Sequence, residues 1–227
     1  MATFTCIIPA FNEAGRIGDV LESVIGHPQL STVIVVDDGS TDGTGDIAQA
    51  HGATLLRTAG NLGKTKALAL GLQDIVTSHV VLIDADLSGL TVPMVTALIA
   101  PVMTGMSSAA ISLRGNAPFV WRWIGIDYIS GERVIPLSLL TGRLPDLARI
   151  PRFGFEVFLN QLLIAQDMPI AIVHWPDVAS PSKARKRGRL SGLWADAAMI
   201  ADIFRTIGLL SCLKQILALR RLRSGLS

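Results

Sequence analysis

The stretch HVVLIDADLSG, His79 to Gly89, decides how the chain is read. Its first half is a β-branched, apolar run of the kind that forms a strand buried on both faces, and it ends in two carboxylates two residues apart. Alternate residues of an extended backbone point the same way, so Asp84 and Asp86 share one side of the chain. Two carboxylates held close repel, and a divalent cation between them is the natural compensation. A hard ion, Mg²⁺ or Mn²⁺, would take one or two of these oxygens and complete its shell with diphosphate oxygens and water.

Outward from this run, TFTCIIP (3–9), TVIVVDD (32–38), ATLLR (53–57) and SSAAISL (107–113) also read as strands. Helical patterns lie between them near 13–26, 42–51, 63–74 and 93–101, with Thr41 and Asp42 as a cap for the second. Strict alternation of strand and helix predicts an α/β fold with a mainly parallel sheet covered by helices on both faces. Ligands of such sheets bind at the carboxyl ends of the strands. Those ends carry Asn12 and Glu13, Asp37 and Asp38, then Asp84 and Asp86, so the acidic groups are expected to converge on one crevice.

With 227 residues, half of them apolar, the chain can bury one sizeable core. One catalytic domain is expected over 1–180 and an extension over 181–227. The net charge of +2 hides a division: 1–180 holds 10 Lys/Arg against 16 Asp/Glu, whereas 181–227 holds 10 Lys/Arg against Asp196 and Asp202 alone. No nucleic-acid partner is expected. Cys6 and Cys212 form no disulfide framework and have no metal-ligand spacing, which points to a reducing compartment. FTCIIPAF (4–11) lacks a charged leader and runs into Asn-Glu, so it is not read as a signal peptide. From Leu87 to Leu113 no residue is charged, but Pro93, Pro101 and Gly105 interrupt the run, which therefore reads as a buried helix, a turn and a strand instead of a membrane span.

GNLGKT (60–65) imitates the end of a phosphate-binding P-loop, yet Thr58 stands where the first glycine of that motif belongs, and the segment follows the third strand instead of the first. The match is therefore a truncation, and a P-loop nucleoside triphosphatase is the rival reading from another class. Taken in order, IIPAFNE (7–13), VVDDGSTDGT (35–44), NLGKTKALALG (61–71) and LIDADLSG (82–89) resemble the nucleotide-sugar half of family 2 glycosyltransferases of the GT-A fold. The resemblance implies that Pro9, Ala10, Asn12 and Glu13 lie against the nucleoside and that Asp38 accepts a hydrogen bond from the base. It also implies that Lys64 lies near the donor, and that Asp84 and Asp86 meet ribose, metal and diphosphate. Ser88 replaces a frequent glutamine of the pattern and Thr65 a frequent glycine. SLRG (112–115) and SGERVI (130–135) are similar to segments of polyprenyl-phosphate sugar transferases, which implies that Arg114 and Arg133 face donor or acceptor phosphates. RFGFEVFLN (152–160) resembles a segment of dolichyl-phosphate glucosyltransferase-like enzymes that puts Glu156 at an acidic site position.

The tail combines KARKRGR (183–189) with apolar residues at helical spacing over 193–217, which Gly208 breaks into two helices. Such a basic amphipathic segment can lie on a membrane surface; the alternatives are packing against the catalytic domain or forming a homodimer. The expectation is thus a metal-dependent, inverting enzyme with Asp86, Arg133 and Glu156 in catalytic positions. It would move sugar from a UDP- or GDP-sugar to a polyprenyl phosphate at the cytoplasmic face of a membrane. A soluble or protein hydroxyl acceptor, or a binding protein without catalysis, are the other readings.

Overall fold

The computed structural model describes residues 2–147, 150, 154–180 and 208–224. Seven strands, β1 (Phe4–Ala10), β2 (Leu30–Asp37), β3 (Thr54–Arg57), β4 (His79–Leu82), β5 (Ala109–Arg114), β6 (Arg133–Pro136) and β7 (Ile170–Trp175), form one sheet in the order β3-β2-β1-β4-β6-β5-β7. Only β6 runs antiparallel to its neighbours, pairing with β4 and β5. Among the described residues the α-helices are α1 (Ile17–Val24), α2 (Thr44–Ala50), α3 (Lys64–Gly71), α4 (Val92–Met103), α5 (Phe119–Ile124), α6 (Leu144–Leu147), α7 (Gly154–Ala165) and α8 (Leu209–Leu222).

Alternation along the central strands divides the core in two. Phe4, Cys6, Ile8 and Ala10 of β1 pack with α1 and α4, whereas Ile7 of the same strand packs with α3, α5, α7 and α8 on the other face. This is the mainly parallel, doubly covered GT-A sheet expected from the sequence. The uncharged run 87–113 resolves into α4, a turn and β5, and among the described residues no helix is long and apolar enough to cross a membrane. Strand boundaries differ from expectation at the decisive stretch: β4 ends at Leu82, so Asp84 and Asp86 stand in a turn beyond the strand. The two still face one way, for Ile83, Ala85 and Leu87, which alternate with them, are buried.

The whole basic run, 183–189, and the first part of the tail lie within 181–207, outside the described residues. Helix α8 inserts Cys212, Ile216 and Leu219 into the core, and Gln215 accepts a 2.7 Å hydrogen bond from the Tyr128 hydroxyl. Arg223 bridges Ile170 and Ser224 donates its N–H to the Ile170 carbonyl, so this end of the chain closes beside β7. Of the alternatives for the tail, one face of α8 therefore follows the packing reading. The opposite face leaves Leu210, Leu213 and Leu217 exposed.

Candidate active site

Strands β3, β2 and β1 extend to one side of the chain's start and β4 to the other, so the gap between β1 and β4 is the topological switch point of the sheet, where a crevice opens beyond the strand ends. The crevice has a volume of about 250 Å³ and is lined by Pro9, Ala10 and Glu13 after β1, Asp38 after β2, Lys64 at the start of α3, and Asp84 and Asp86 after β4. These residues are separated by up to 77 positions in the chain and meet only because three parallel strands end together. Phe11, Asn61, Gly63, Ala67 and Ala85 complete the lining.

Asn12 is the exception in its segment. Its backbone is left-handed (φ 55°), its side-chain oxygen accepts the Thr41 N–H at 2.9 Å, and its own N–H donates to Ser40 Oγ at 2.9 Å. Asn12 is not part of the crevice wall; it ties the β1–α1 turn to the β2–α2 loop. Asp42 supports the same loop by accepting the N–H and hydroxyl of Thr44 at the start of α2.

Asp38 is buried, and its carboxylate accepts the Thr58 hydroxyl (3.0 Å) and the N–H groups of Leu62 (2.9 Å) and Gly63 (2.7 Å). It thereby shapes the 58–63 loop. A carboxylate offers about four acceptor positions, so Asp38 keeps capacity for one further donor. Gly63, at φ 94° and ψ 152°, takes a conformation closed to other residues, which turns the chain into α3 and aims Lys64 inward.

Lys64 joins two carboxylates of the site, with Nζ 2.7 Å from Asp84 Oδ1 and 2.9 Å from Glu156 Oε1. Burial would lower the ammonium pKa, but the charges of Asp84 and Glu156 and hydrogen bonds to both outweigh it and hold it above the ordinary lysine value. Asp84 answers in the opposite sense: burial would raise its pKa, yet Lys64, then Arg114 and Arg133, keep it below the usual carboxylate range. Its carboxylate fills the notch left by Gly131, where an added Cβ would come within 2.5 Å of Asp84 Oδ2. Asp86 differs. Among the described residues it accepts no hydrogen bond, and burial together with repulsion from Asp84, Glu13 and Glu132 pushes its pKa up to about 6.

The expected arginines lie elsewhere. Cross-strand pairing of Leu82 with Arg133 sets Arg133 beside the end of β4, but its guanidinium is wholly buried. It donates to the carbonyls of Ser130 (2.6 Å) and Tyr128 (3.0 Å) and to Asn160 Oδ1 (2.6 Å). The expected contact of Arg133 with a phosphate is replaced by a strut that joins the 128–133 loop to α7. Arg114, at the end of β5, is also outside the crevice wall; it donates to Ser180 Oγ at 2.8 Å and stands 3.5 Å from both Asp127 and Glu132. Glu132 is fully buried, receives hydroxyls from Ser112 and Ser130, and leaves Oε1 without a partner among the described residues. Burial raises the Asp127 pKa to about 6 against the pull of Arg114. No sequence pattern flags Glu132, whose charge repels that of Asp86 across 46 positions of the chain.

The donor set fits a hard divalent cation only in part from the protein. Among the described residues no cluster of three metal-ligating side chains exists, and the available oxygens are those of Asp84 and Asp86. The raised pKa of Asp86 marks a place where positive charge is lacking, which is the electrostatic condition for binding Mg²⁺ or Mn²⁺ with oxygens of a ligand completing the shell. A proton and a cation would compete for Asp86, so Mn²⁺ binding is expected to weaken as pH falls through about 6. Titration of free Mn²⁺ against the protein between pH 5 and pH 8 measures it; a flat profile would contradict this place for the cation.

Comparison with known proteins agrees with this architecture. Residues 5–111 match the family model described as Glycosyl transferase family 2. The matched span contains all four ordered motifs and ends within β5. The 4,4'-diaponeurosporenoate glycosyltransferase of Staphylococcus aureus strain MRSA252 is 39% identical over 100 residues, which cover 42% of this chain and 27% of that relative. Its counterpart from the bovine strain RF122 / ET3-1 is 37% identical over 102 residues, with 43% and 27% covered. The chain thus spans about a quarter of the length of these curated relatives. Among solved structures, glucosyl-3-phosphoglycerate synthase from Mycobacterium tuberculosis in complex with phosphoglyceric acid superposes with a TM-score of 0.70 at 23% identity, covering 95% of this chain and 80% of that one. The same enzyme in complex with Mn²⁺, UDP and glucosyl-3-phosphoglycerate gives 0.69 at 24% identity, with the same coverage. These likenesses establish the GT-A fold.

Proposed function

We propose that the protein is a metal-dependent, inverting glycosyltransferase that takes a sugar from a UDP- or GDP-sugar and delivers it to a polyprenyl phosphate. The observation that carries this reading is the crevice at the β1/β4 switch point, where Asp38, Lys64, Asp84 and Asp86 come together. The family match over 5–111 supports it, as does the binding of Mn²⁺ and UDP-glucose by the structurally similar synthase.

In this reading Asp38 accepts from the base with its remaining lone pair, while Pro9 and Ala10 form the wall beside the nucleoside. Asp84 and Asp86 hold the cation, which when bound neutralises charge on the departing diphosphate. An oxygen of the acceptor phosphate attacks the anomeric carbon, the bond from that carbon to the diphosphate breaks, and its electron pair leaves with the diphosphate. A phosphate monoester is already mostly dianionic at pH 7 and needs no general base. Glu156, occupied by Lys64, serves as a positioning group.

A lipid acceptor is favoured by the surface next to β5. Phe119 and Trp123 of α5 are 78% and 79% exposed with Arg122 between them, and the outer face of α8 adds Leu210, Leu213 and Leu217 beside Lys214, Arg220 and Arg221. Apolar and basic groups mixed in this way suit the interface of an anionic membrane, here the cytoplasmic face. The second reading, a small soluble acid as acceptor, draws on the phosphoglyceric acid bound by the similar synthase.

Radiolabelled UDP-glucose and GDP-mannose, each with Mn²⁺, offered with polyprenyl phosphate in vesicles or with phosphoglyceric acid in solution, separate the two. Label entering the organic phase is the expected result. Transfer to phosphoglyceric acid alone would establish the second reading, and thermal stabilisation by ATP but by neither UDP nor GDP would remove both.

A further inference from the structure

Lys64 occupies an unexpected position for a residue assigned to the donor phosphates. Its ammonium is bound between Asp84 and Glu156 at 2.7 and 2.9 Å, and so it covers an oxygen of the very carboxylate that the metal reading requires. The Lys64 side chain remains 35% exposed and lines the crevice, so the ammonium has somewhere else to go. Glu156 is anchored in the first turn of α7, and Asp84 is confined by Gly131; the lysine, on four flexible methylenes, is the member of the trio able to move.

We infer that Lys64 is a built-in counter-ion that closes Asp84 until a nucleotide diphosphate arrives, and that it exchanges Asp84 for the diphosphate as the divalent cation enters. The inference rests on the proposed metal and donor site, and adds to it an order of events. Two cations sharing one carboxylate repel strongly, so cation binding without nucleotide is held weak by the protein itself. A diphosphate supplies the negative charge that draws the ammonium away, which frees Asp84 to act together with Asp86. Nucleotide and cation therefore bind cooperatively, with Lys64 as the coupling element. Glu156 gives the ammonium a second partner and keeps it within reach during the exchange.

Mn²⁺ binding measured without nucleotide tests this, on the full chain, by the loss of the free-ion electron paramagnetic resonance signal. Lys64→Gln is expected to bind Mn²⁺ about tenfold or more tightly than the unaltered protein, and Lys64→Arg, which keeps the charge, within about threefold of it. UDP is expected to strengthen Mn²⁺ binding to the unaltered protein more than to Lys64→Gln. Equal or weaker Mn²⁺ binding by Lys64→Gln overturns the inference. Should that variant fail to fold, Glu156→Gln serves, since it leaves Asp84 as the one carboxylate of the pair holding Lys64 and is expected to weaken Mn²⁺ binding; unchanged affinity would overturn the inference as well. UDP binding by the unaltered protein, followed separately by thermal shift, tells failure of this exchange from failure of the donor-site reading.

Discussion

Asp86→Asn is expected to lower sugar transfer about a hundred- to a thousandfold, the scale on which a single preorganised electrostatic group acts in a transition state. The same variant should melt no lower than the unaltered protein at pH 7. These two expectations have one cause. Asp86 lies at the crevice with its charge opposed by burial and by Asp84, Glu13 and Glu132, and it makes no hydrogen bond among the described residues that its loss would break. Its folded pKa of about 6 is above the ordinary 3.8, so the ionised carboxylate weighs against the fold at neutral pH. That cost is relieved as pH falls through 6 toward 3.8, because the folded protein then takes up the proton first. The melting temperature of Asp86→Asn should therefore exceed that of the unaltered protein at pH 7 and the gap should close by pH 4, as followed by calorimetry without metal. Normal turnover in the variant would remove Asp86 from the metal site, and a marked drop in melting temperature would make it a structural residue.

Arg133→Met should do the reverse. The substitution removes a wholly buried guanidinium and leaves the carbonyls of Ser130 and Tyr128 and the Asn160 side chain with fewer donors. It also withdraws positive charge from beside Asp84 and Asp127. Breaking a buried charged network by removing one partner typically costs about 3–5 kcal/mol. For a chain of this size that is roughly 10 °C in melting temperature. Urea or thermal denaturation checks it. If Arg133→Met melts like the unaltered protein and loses only transfer, the arginine acts on phosphate after all and the strut assignment is wrong.

Arg133 also shows where reading the sequence meets its limit. A cation two residues after a serine-glycine pair looks the same on paper whether it faces a ligand or its own backbone. What decides the matter is the register that pairs Arg133 with Leu82, together with a carbonyl cage assembled from residues 128, 130 and 160. Asn12 misled for a related reason. Its neighbours Pro9, Ala10 and Glu13 do line the crevice, but a left-handed backbone at Asn12 turns that one side chain toward Thr41. Glu132 went unremarked because its repulsion of Asp86 acts across 46 positions of the chain. Helix α8 had the right periodicity, and periodicity alone does not say which partner a buried face will find.

The sequence by itself determined the alternation of strand and helix, hence the parallel doubly covered sheet, and the acidic residues at its strand ends. These follow from local period and from the chirality of strand connections, which act within a few dozen residues. Tertiary structure alone decided which charges are neutralised from within. That Lys64 closes Asp84, that Glu156 shares the same ammonium, and that Asp86 stays uncompensated are consequences of three-dimensional distance between α3, α7 and the end of β4. Coulomb interactions depend on separation and burial in space, and neither is written in the order of residues along the chain.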